Sequence, residues 1–343
     1  MAIKIILSSL MIVVLCLGIT SPADSQSLKT VKFMTLTLGV TVLPYVVATR
    51  LGFYRQEGLR VEIIRATLSP SIQALLSGSA DYVKHGSVIG AVLGGLPLRG
   101  LAVDTDRSLQ YIIAKPEISS LKDLVGRTIA IDDVAGAVNW VVSETLLKNR
   151  VPIDKVNLRR IGGPEMRFQA LITGLVDAAS LSFVLAGRAK EKEFRSLVYT
   201  GEFATDIQLL VATSVEKIQK SPDEVYKFMK ATLKARKFQF ENPEEAYKFY
   251  VELEGISDEK FGRDAWEDRR RSSSKEARIG LLSEETMIES ITAWKGQMKL
   301  AGRPLKVEGR PEDVYNFGFA RRALEEIRIE GWDARKYHYI AKQ

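Results

Sequence analysis

Alternating strands and helices predict an α/β protein with two lobes. Hydrophobic residues alternate at period two in segments 31–36 and 59–64, and helical patterns follow at 45–54 and 69–77. The same succession begins again near residue 115. Such alternation favours a largely parallel sheet covered by helices. A chain of 343 residues also exceeds the ~250–300 residues at which a single core usually divides.

The predicted elements follow in order along the chain. For the first lobe we predict the remaining strands at 81–83 and 98–103 and a helix at 87–94. For the second we predict strands at 110–115, 127–131, 156–161, 178–181 and 195–199 and helices at 137–148, 165–173 and 184–192. A strand at 206–213 is predicted to return the chain to the first lobe. Helices are predicted to begin at Pro222 and at Pro243 and to span 286–300 and 313–327. The implied division is 1–25 leader, 28–112 first lobe, 115–203 second lobe, 207–330 return with C-terminal helices, and 331–343 tail.

Helix starts are marked by capping residues. Ser69 and Pro70 suit the start of a helix because serine caps well and proline is tolerated in the first turn. Residues 221–224 read Ser-Pro-Asp-Glu, which predicts a capping box.

The first 25 residues form a predicted secretory signal peptide. Lys4 supplies one positive charge, residues 5–19 are apolar or small, and small residues follow at 21–25. The apolar run is shorter than the ~20 residues of a transmembrane helix. An uncleaved anchor and a lipoprotein attached through Cys16 are the alternatives. We therefore predict a cleaved leader and a mature protein in the periplasm.

Composition excludes several chemistries. The only cysteine, Cys16, lies in the leader, so the mature chain is predicted to lack disulfides, thiolate metal sites and a cysteine nucleophile. Histidine occurs only at His85 and His338, and we expect neither a metal site nor a cofactor. The net charge of +7 is spread among acidic residues, as at 263–271, which does not indicate a nucleic-acid surface. It predicts a surface with some attraction for anions.

Four segments carry a family resemblance: 44–62, 74–82, 121–130 and 167–178. The first contains Leu-Gly-Phe-Tyr-Arg-Gln-Glu-Gly-Leu, and the second reads Ala-Leu-Leu-Ser-Gly-Ser-Ala-Asp-Tyr. In this order they resemble the nitrate/sulfonate/taurine-type periplasmic substrate-binding proteins of ABC transporters, which are grouped with the yeast thiamine-pyrimidine synthases. The resemblance covers residues 31–250 and leaves the arginine-rich segment 263–278 unassigned.

The resemblance implies a fold and a function. The fold is the type II periplasmic-binding fold, in which two α/β lobes are joined by two crossover strands with a ligand cleft between them. Crossovers near 111–115 and 203–210 would act as hinges. The function is a monomeric, non-enzymatic receptor that closes on a small organic anion, such as a sulfonate or carboxylate, and delivers it to an inner-membrane ABC permease. The alternatives are an enzyme resembling the thiamine-pyrimidine synthases, whose cysteine-rich motif is missing here, and a receptor for a membrane sensor.

Candidate ligand contacts follow from the geometry of open α/β sheets. Ligands bind beyond the carboxyl ends of strands, and the exposed N–H groups of helix starts favour anions there. This rule selects loops 38–41, 84–87, 132–137 and 180–183. The predicted ligand-binding residues are Gly39, Thr41, Tyr45, His85, Ser87, Asp133, Gly136, Ala137, Asn139, Ser180, Ser182 and Phe183.

These residues have different expected roles. Gly39 permits close backbone approach, the amides of Gly136 and Ala137 form an anion cradle, and Tyr45 and Asn139 line the rim. The alternatives are an ordinary turn at 38–41 and a structural role for His85. No catalytic residue is predicted. No arginine falls on these four loops, so a bidentate arginine grip on an anion is not predicted either.

Overall fold

The computed structural model describes residues 27–36, 38–132, 137–205, 207 and 209–328, apart from the side chain of Val40. The predicted leader and tail lie outside the described residues. The described strands are β1 (Lys29–Thr35), β2 (Leu59–Arg65), β3 (Tyr82–Lys84), β4 (Leu98–Val103), β5 (Gln110–Ala114), β6 (Thr128–Ile131), β7 (Asn157–Arg160), β8 (Ala178–Ser182), β9 (Arg195–Tyr199) and β10 (Leu210–Ser214).

The predicted helices appear in the predicted order, and α8, α11 and α12 are helices that were not predicted. The described helices are α1 (Leu43–Arg50), α2 (Phe53–Gln56), α3 (Leu68–Leu76), α4 (Val88–Leu93), α5 (Ala137–Lys148), α6 (Pro164–Ile172), α7 (Phe183–Lys190), α8 (Val215–Lys220), α9 (Pro222–Glu241), α10 (Pro243–Glu254), α11 (Glu259–Arg271), α12 (Lys275–Arg278), α13 (Glu284–Leu300), α14 (Pro311–Val314) and α15 (Gly318–Ile327). In the part of the chain that the structure describes, no helix combines the length and the hydropathy needed to cross a membrane.

Two five-stranded sheets share one topology. The first has the order β2-β1-β3-β10-β4, and the second has the corresponding order β7-β6-β8-β5-β9. The pairs β1–β2, β1–β3, β6–β7 and β6–β8 are parallel. β10 and β5 run antiparallel to both of their neighbours. The sheets are therefore mixed rather than largely parallel, because each strand that follows a crossover enters its new sheet in the opposite direction. We call the two sheets with their helices the first and second lobes.

The first crossover lies earlier than the sequence predicts. All of β5 pairs within the second sheet, so residues 111–114 belong to that lobe rather than to a hinge. The chain passes between the sheets at residues 104–109 and returns before β10. Arg107 and Thr205 form an isolated antiparallel bridge between the two passing segments.

The second sheet is buried on both faces. Alternate residues of β5 face opposite sides, as strand geometry requires. Tyr111 and Ile113 pack in the cluster that contains α6 and α7 residues. Ile112 and Ala114 pack in the other cluster, with residues of α5.

The core of the first lobe is centred on α9. Phe228 of α9 stacks on Tyr82 with ring centroids 4.0 Å apart, and it also packs near Tyr54 at 5.5 Å and Phe33 at 6.0 Å. The apolar face of this helix, with Val225, Met229 and Leu233, is therefore part of the core. The core of the first lobe thus combines N-terminal strands and helices with β10 and the helices that follow it.

Four local predictions are wrong. A single helix at 45–54 is interrupted because Gly52 adopts a left-handed conformation between α1 and α2. Helix α3 has Thr67 rather than Ser69 at its N-cap. Ser221 makes no side-chain capping bond. The predicted helix at 313–327 is broken near Tyr315, which bridges to Gly100 at the edge of the first sheet.

Candidate ligand-binding cleft

A buried ion-pair cluster lies at the ends of strands β3 and β4. Lys84 is the last residue of β3, and Asp104 directly follows β4. The Lys84 ammonium lies 3.3 Å from Asp104 Oδ2, and both side chains are almost completely buried. Arg236 of α9 pairs with Asp104 Oδ1, and the Tyr45 hydroxyl donates to both carboxylate oxygens at 3.2 Å. We call Lys84, Tyr45, Asp104 and Arg236 the Asp104 cluster.

Backbone carbonyls complete this cluster. Lys84 Nζ donates to the carbonyl of Thr41. Arg236 Nη1 donates to the carbonyls of Val103 at 2.9 Å and Ala277 at 2.8 Å. Because buried charges are costly unless they are paired and hydrogen-bonded, these contacts hold the residues at 39–42, β4 and α12 against α9.

Together with Arg269, which lines the same cavity as Asp104 and Arg236, the cluster carries more positive than negative charge. Burial, and then repulsion from Arg269 and Arg236, hold the pKa of Lys84 well below its usual value. Burial also lowers the pKa of Arg236 to about 10, with a further contribution from Arg269. The Arg236 guanidinium therefore stays charged at neutral pH beside the carboxylate of Asp104.

Arg269 connects the cluster to the second lobe. Its pKa is lowered to about 10 by burial, and the phenols of Tyr250, Tyr45 and Tyr199 act in the opposite direction. Tyr45 belongs to the first lobe, whereas Tyr199 ends β9 of the second. Arg269 Nη1 donates to Ser272 Oγ at 3.1 Å, and the residue follows Asp268, which contacts Tyr111 of the second lobe.

Helix α11, which carries Arg269, bridges the two lobes. Trp266 is buried in the core of the first lobe. Phe261 packs against Phe183 of the second lobe, with ring centroids 5.7 Å apart. The Tyr111 hydroxyl donates to Asp268 Oδ2. The arginine-rich segment that the sequence left unassigned is thus a wall of the space between the lobes.

The second lobe contributes neutral polar groups. The Tyr199 hydroxyl and Ser180 Oγ are buried without a hydrogen-bond partner. Arg167 is buried too, but it donates to the carbonyls of Ser180 at 2.9 Å and Gly162 at 2.5 Å. Its guanidinium therefore serves the backbone of its own lobe.

A carboxylate occupies the start of α5. Asp132 accepts from the amides of Val138 at 3.3 Å and Asn139 at 3.2 Å. These are the donors that helix starts offer to anions. The amides of Val138 and Asn139 are thus engaged by the chain itself, and the anion cradle of Gly136 and Ala137 stays a prediction. Asp133 and Gly136 lie outside the described residues, and Ala137 is the half-buried first residue of α5.

The predicted residues of the first lobe have local partners. Gly39 has a φ of +82°, and the Glu254 carboxylate fills the space that a Cβ there would need. The Thr41 hydroxyl points to the Leu38 carbonyl at 3.5 Å. Tyr45 is fully buried, so the prediction that it lines the rim is wrong: its hydroxyl is drawn inward by Asp104.

His85 and Ser87 contact each other. The Ser87 amide donates to His85 Nδ1 at 3.1 Å. Ser87 occupies the N-cap position of α4 without a side-chain capping bond. Burial lowers the pKa of His85, which favours a neutral imidazole. The structure places both residues directly after β3, beside Lys84.

Of the residues predicted in the second lobe, Phe183 contacts both lobes. It packs against both the first and second cores, which places it between the lobes. Ser182 ends β8 and is half-buried. The backbone amide of Asn139 is engaged by Asp132. Ligand contact by these residues stays a prediction.

Asp104, Arg236 and Arg269 are not among the residues predicted from the sequence, whereas Lys84 lies in the predicted loop 84–87. Asp104 directly follows β4 and could have been selected by the same strand-end rule. The two arginines come from helices far along the chain, and no local pattern distinguishes them from surface arginines. Among the described residues, no group of three His, Cys, Asp or Glu side chains is placed to hold a metal ion.

Comparison with family models identifies the class of protein. The NMT1/THI5-like family model matches residues 40–246, which is more than half of the chain. The chain therefore belongs to the NMT1/THI5-like family. No curated protein sequence matches it significantly.

Solved structures show that the fold is that of periplasmic binding proteins. The periplasmic sulfonate-binding protein SsuA of Methylobacillus flagellatus KT superposes with a TM-score of 0.72 at 18% identity, covering 89% of this chain and 96% of that one. The aliphatic sulphonate binding protein SsuA of Escherichia coli gives 0.67 at 15% identity, covering 84% and 98%. The desulfurization enzyme DSZB gives 0.65 at 14% identity, covering 88% and 100%. The two-lobed α/β fold is thus shared by binding proteins and by an enzyme.

Proposed function

We propose that this chain is the extracytoplasmic solute-binding protein of an ABC importer and that it captures a small organic anion between its lobes. The observation that carries the proposal is the electropositive site formed by the Asp104 cluster and Arg269. Arg236 and Arg269 stay charged at neutral pH, and they lie there with Lys84 beside the single carboxylate of Asp104, which follows the carboxyl end of β4. An anion placed there would restore the charge balance.

The surroundings of this site suit such a ligand. Charges interact more strongly where water is excluded, so a bound anion gains more beside buried guanidinium groups than at a surface. The second lobe faces the site with Tyr199, Phe183 and Tyr111, which offer aromatic surface and a hydroxyl without a partner. A molecule with an anionic head and an apolar body matches both sides.

The family and the fold neighbours support a transport role. Two of the neighbours are described as sulfonate-binding periplasmic proteins, which makes a sulfonate or a carboxylate the proposed cargo. The predicted leader supports export to the periplasm, where a permease of the inner membrane would receive the ligand. Closure of two lobes around a ligand is the general behaviour of such receptors.

A thermal-shift screen of the chain from Gln26 tests the proposal. The panel holds alkane and aromatic sulfonates, carboxylates, nitrate, and uncharged and cationic compounds of similar size. A ligand at ~100 times its dissociation constant stabilises by about 2.7 kcal/mol, which is a shift of several degrees. We expect organic anions alone to produce it. Small-angle scattering with the best compound should show a smaller radius of gyration.

Variants connect the binding to the site. Arg269→Gln should weaken binding of the best anion about tenfold or more, because a hydrogen bond to a charged group contributes ~1.5–3 kcal/mol. Arg303→Gln changes the net charge equally at an exposed position and should leave binding unchanged. Selective binding of neutral compounds would contradict the proposal. Turnover of a bound compound, detected by product analysis, would instead favour an enzyme.

A further inference from the structure

A cavity of about 60 Å³ lies beneath helix α11, on the side of the Asp104 cluster. It is bounded by the start of α1, the last turns of α9, α11 and the segment that leads into α12. Its polar lining comes from Asp104, Arg236, Gln239, Arg269, Arg270, Ser273 and Arg278. None of the residues that the sequence analysis selected lines this cavity.

Two donors in the lining have no partner. Arg236 Nε and Gln239 Nε2 are buried and make no hydrogen bond. Arg236 is only 3% exposed, and its Nη1 is already used by the carbonyls of Val103 and Ala277. Leaving a buried donor unsatisfied is costly, so a pair of such donors lining one cavity indicates a missing acceptor.

The charges around the cavity identify that acceptor as an anion. Four arginines line the cavity, and Asp104 is the single carboxylate among the lining residues. Asp104 is already engaged by Lys84, Tyr45 and Arg236. The carboxylate that pairs with Arg270, at 3.1 Å, belongs to Glu267, which is exposed and does not line the cavity. An anion from outside the chain would therefore neutralise part of the remaining positive charge.

The size of the cavity restricts the anion. About 60 Å³ exceeds the ~10–15 Å³ that one water molecule needs but is too small for a complete organic ligand. Leu43, Pro44, Phe240 and Trp266 form an apolar side of the same cavity. The space thus suits a compact oxyanion, and an attached apolar group would lie along this wall.

We propose that this cavity binds a compact oxyanion, either as inorganic sulfate or phosphate or as the anionic head of an organic ligand. For the organic ligand, the inference deepens the proposed function and rests on it. For the inorganic ion it stands independently. Arg236 Nε and Gln239 Nε2 are the assigned donors, and Arg269 and Arg270 supply the surrounding charge.

Calorimetric titration with sodium sulfate tests the site, at constant ionic strength maintained with chloride. Gln239→Leu removes one unpaired donor at similar volume, and Arg270→Gln removes one lining charge. Each should weaken sulfate binding about tenfold or more. Arg271→Gln is the matched control: it makes the same change on the next residue of α11, outside the lining, and should alter binding less than twofold. Urea midpoints of all three variants should match the wild type within the error of the measurement.

Competition separates the two sources of the oxyanion. If sulfate displaces an organic anion and Gln239→Leu weakens both, the cavity holds the organic head group. If sulfate binds through Gln239 and Arg270 but does not compete, the cavity is a separate inorganic site. The inference is overturned if no oxyanion binds, or if Arg270→Gln and Arg271→Gln have equal effects. Organic-anion binding that persists in that case would leave the proposed function standing.

Discussion

The two lobes have the same strand order but opposite chemistry where they face each other. In the first lobe, the strand ends lead to Lys84 and Asp104, which are buried with Arg236 from α9. In the second lobe, the buried Arg167 serves backbone carbonyls, and Asp132 occupies the start of α5. One topology thus presents an electropositive wall on one side and a neutral, aromatic and hydroxyl-bearing wall on the other.

This difference shows where binding chemistry is added to the fold. The repeated part, five strands with their connecting helices, does not supply Arg236 or Arg269. Both come from helices that follow β10, α9 in the first lobe and α11 across the two lobes. The helices after the second crossover therefore determine the charge of the space between the lobes.

The strongest test compares the two aspartates at the strand ends. Asp104→Asn should lower the free energy of unfolding by ~3–5 kcal/mol, because Arg236 and Lys84 would remain buried without a counter-charge. Asp132→Asn should cost less than ~1 kcal/mol, since an asparagine oxygen still accepts from the amides at the start of α5. Urea unfolding measures both. If both variants lost the same free energy of unfolding, Asp104 would not be the counter-charge that Arg236 and Lys84 need.

Weakening the contact that α11 makes between the lobes should have a smaller effect on the free energy of unfolding. Phe261→Ala removes the packing on Phe183 and should cost ~1 kcal/mol in the free energy of unfolding. It should also increase the radius of gyration of the ligand-free protein. Phe249→Ala, which loses a contact with Phe238 inside the first lobe, is the control for stability without a change in lobe separation. An unchanged radius in both variants would argue against α11 as a tether.

His85 makes the stability depend on pH. Burial lowers the pKa of its imidazole below the ordinary value near 6.5. Between this lowered pKa and pH 6.5, the unfolded chain therefore binds more protons than the folded chain. Its contribution is complete above about pH 6.5 and declines as the pH falls towards the lowered pKa. Urea midpoints of the wild type should therefore decrease more steeply from pH 7 to 5 than those of His85→Gln. Parallel curves would show that His85 titrates normally.

The smallest effect is expected on the surface of the first lobe. Arg50 and Glu252 form a bidentate pair at 2.6 and 2.7 Å, and both side chains are largely exposed. Glu252→Gln should change the free energy of unfolding by ~0.2–1 kcal/mol, and added salt should reduce the difference. A larger loss that is insensitive to salt would indicate a buried role for this contact between α1 and α10.

Most of the architecture was predictable because it depends on local pattern. The strand at 98–103, the helix at 137–148 and the strand at 195–199 appear with the predicted bounds. The errors have different causes: Gly52 interrupts one helix locally, whereas a distant contact interrupts another. Tyr315 extends to meet Gly100 instead of continuing a helix, and Ser221 lies before α9 without using its hydroxyl as a cap.

The sequence by itself determined the order of strands and helices, the family and the approximate place of the second crossover, because periodicity, glycine and short motifs act over a few residues. Only the tertiary structure decided the chemistry of the cleft. Lys84, Asp104, Arg236 and Arg269 are far apart along the chain, and each one alone looks like an ordinary surface charge. Folding brings them together out of water, and burial beside one another turns four unremarkable side chains into an electropositive site.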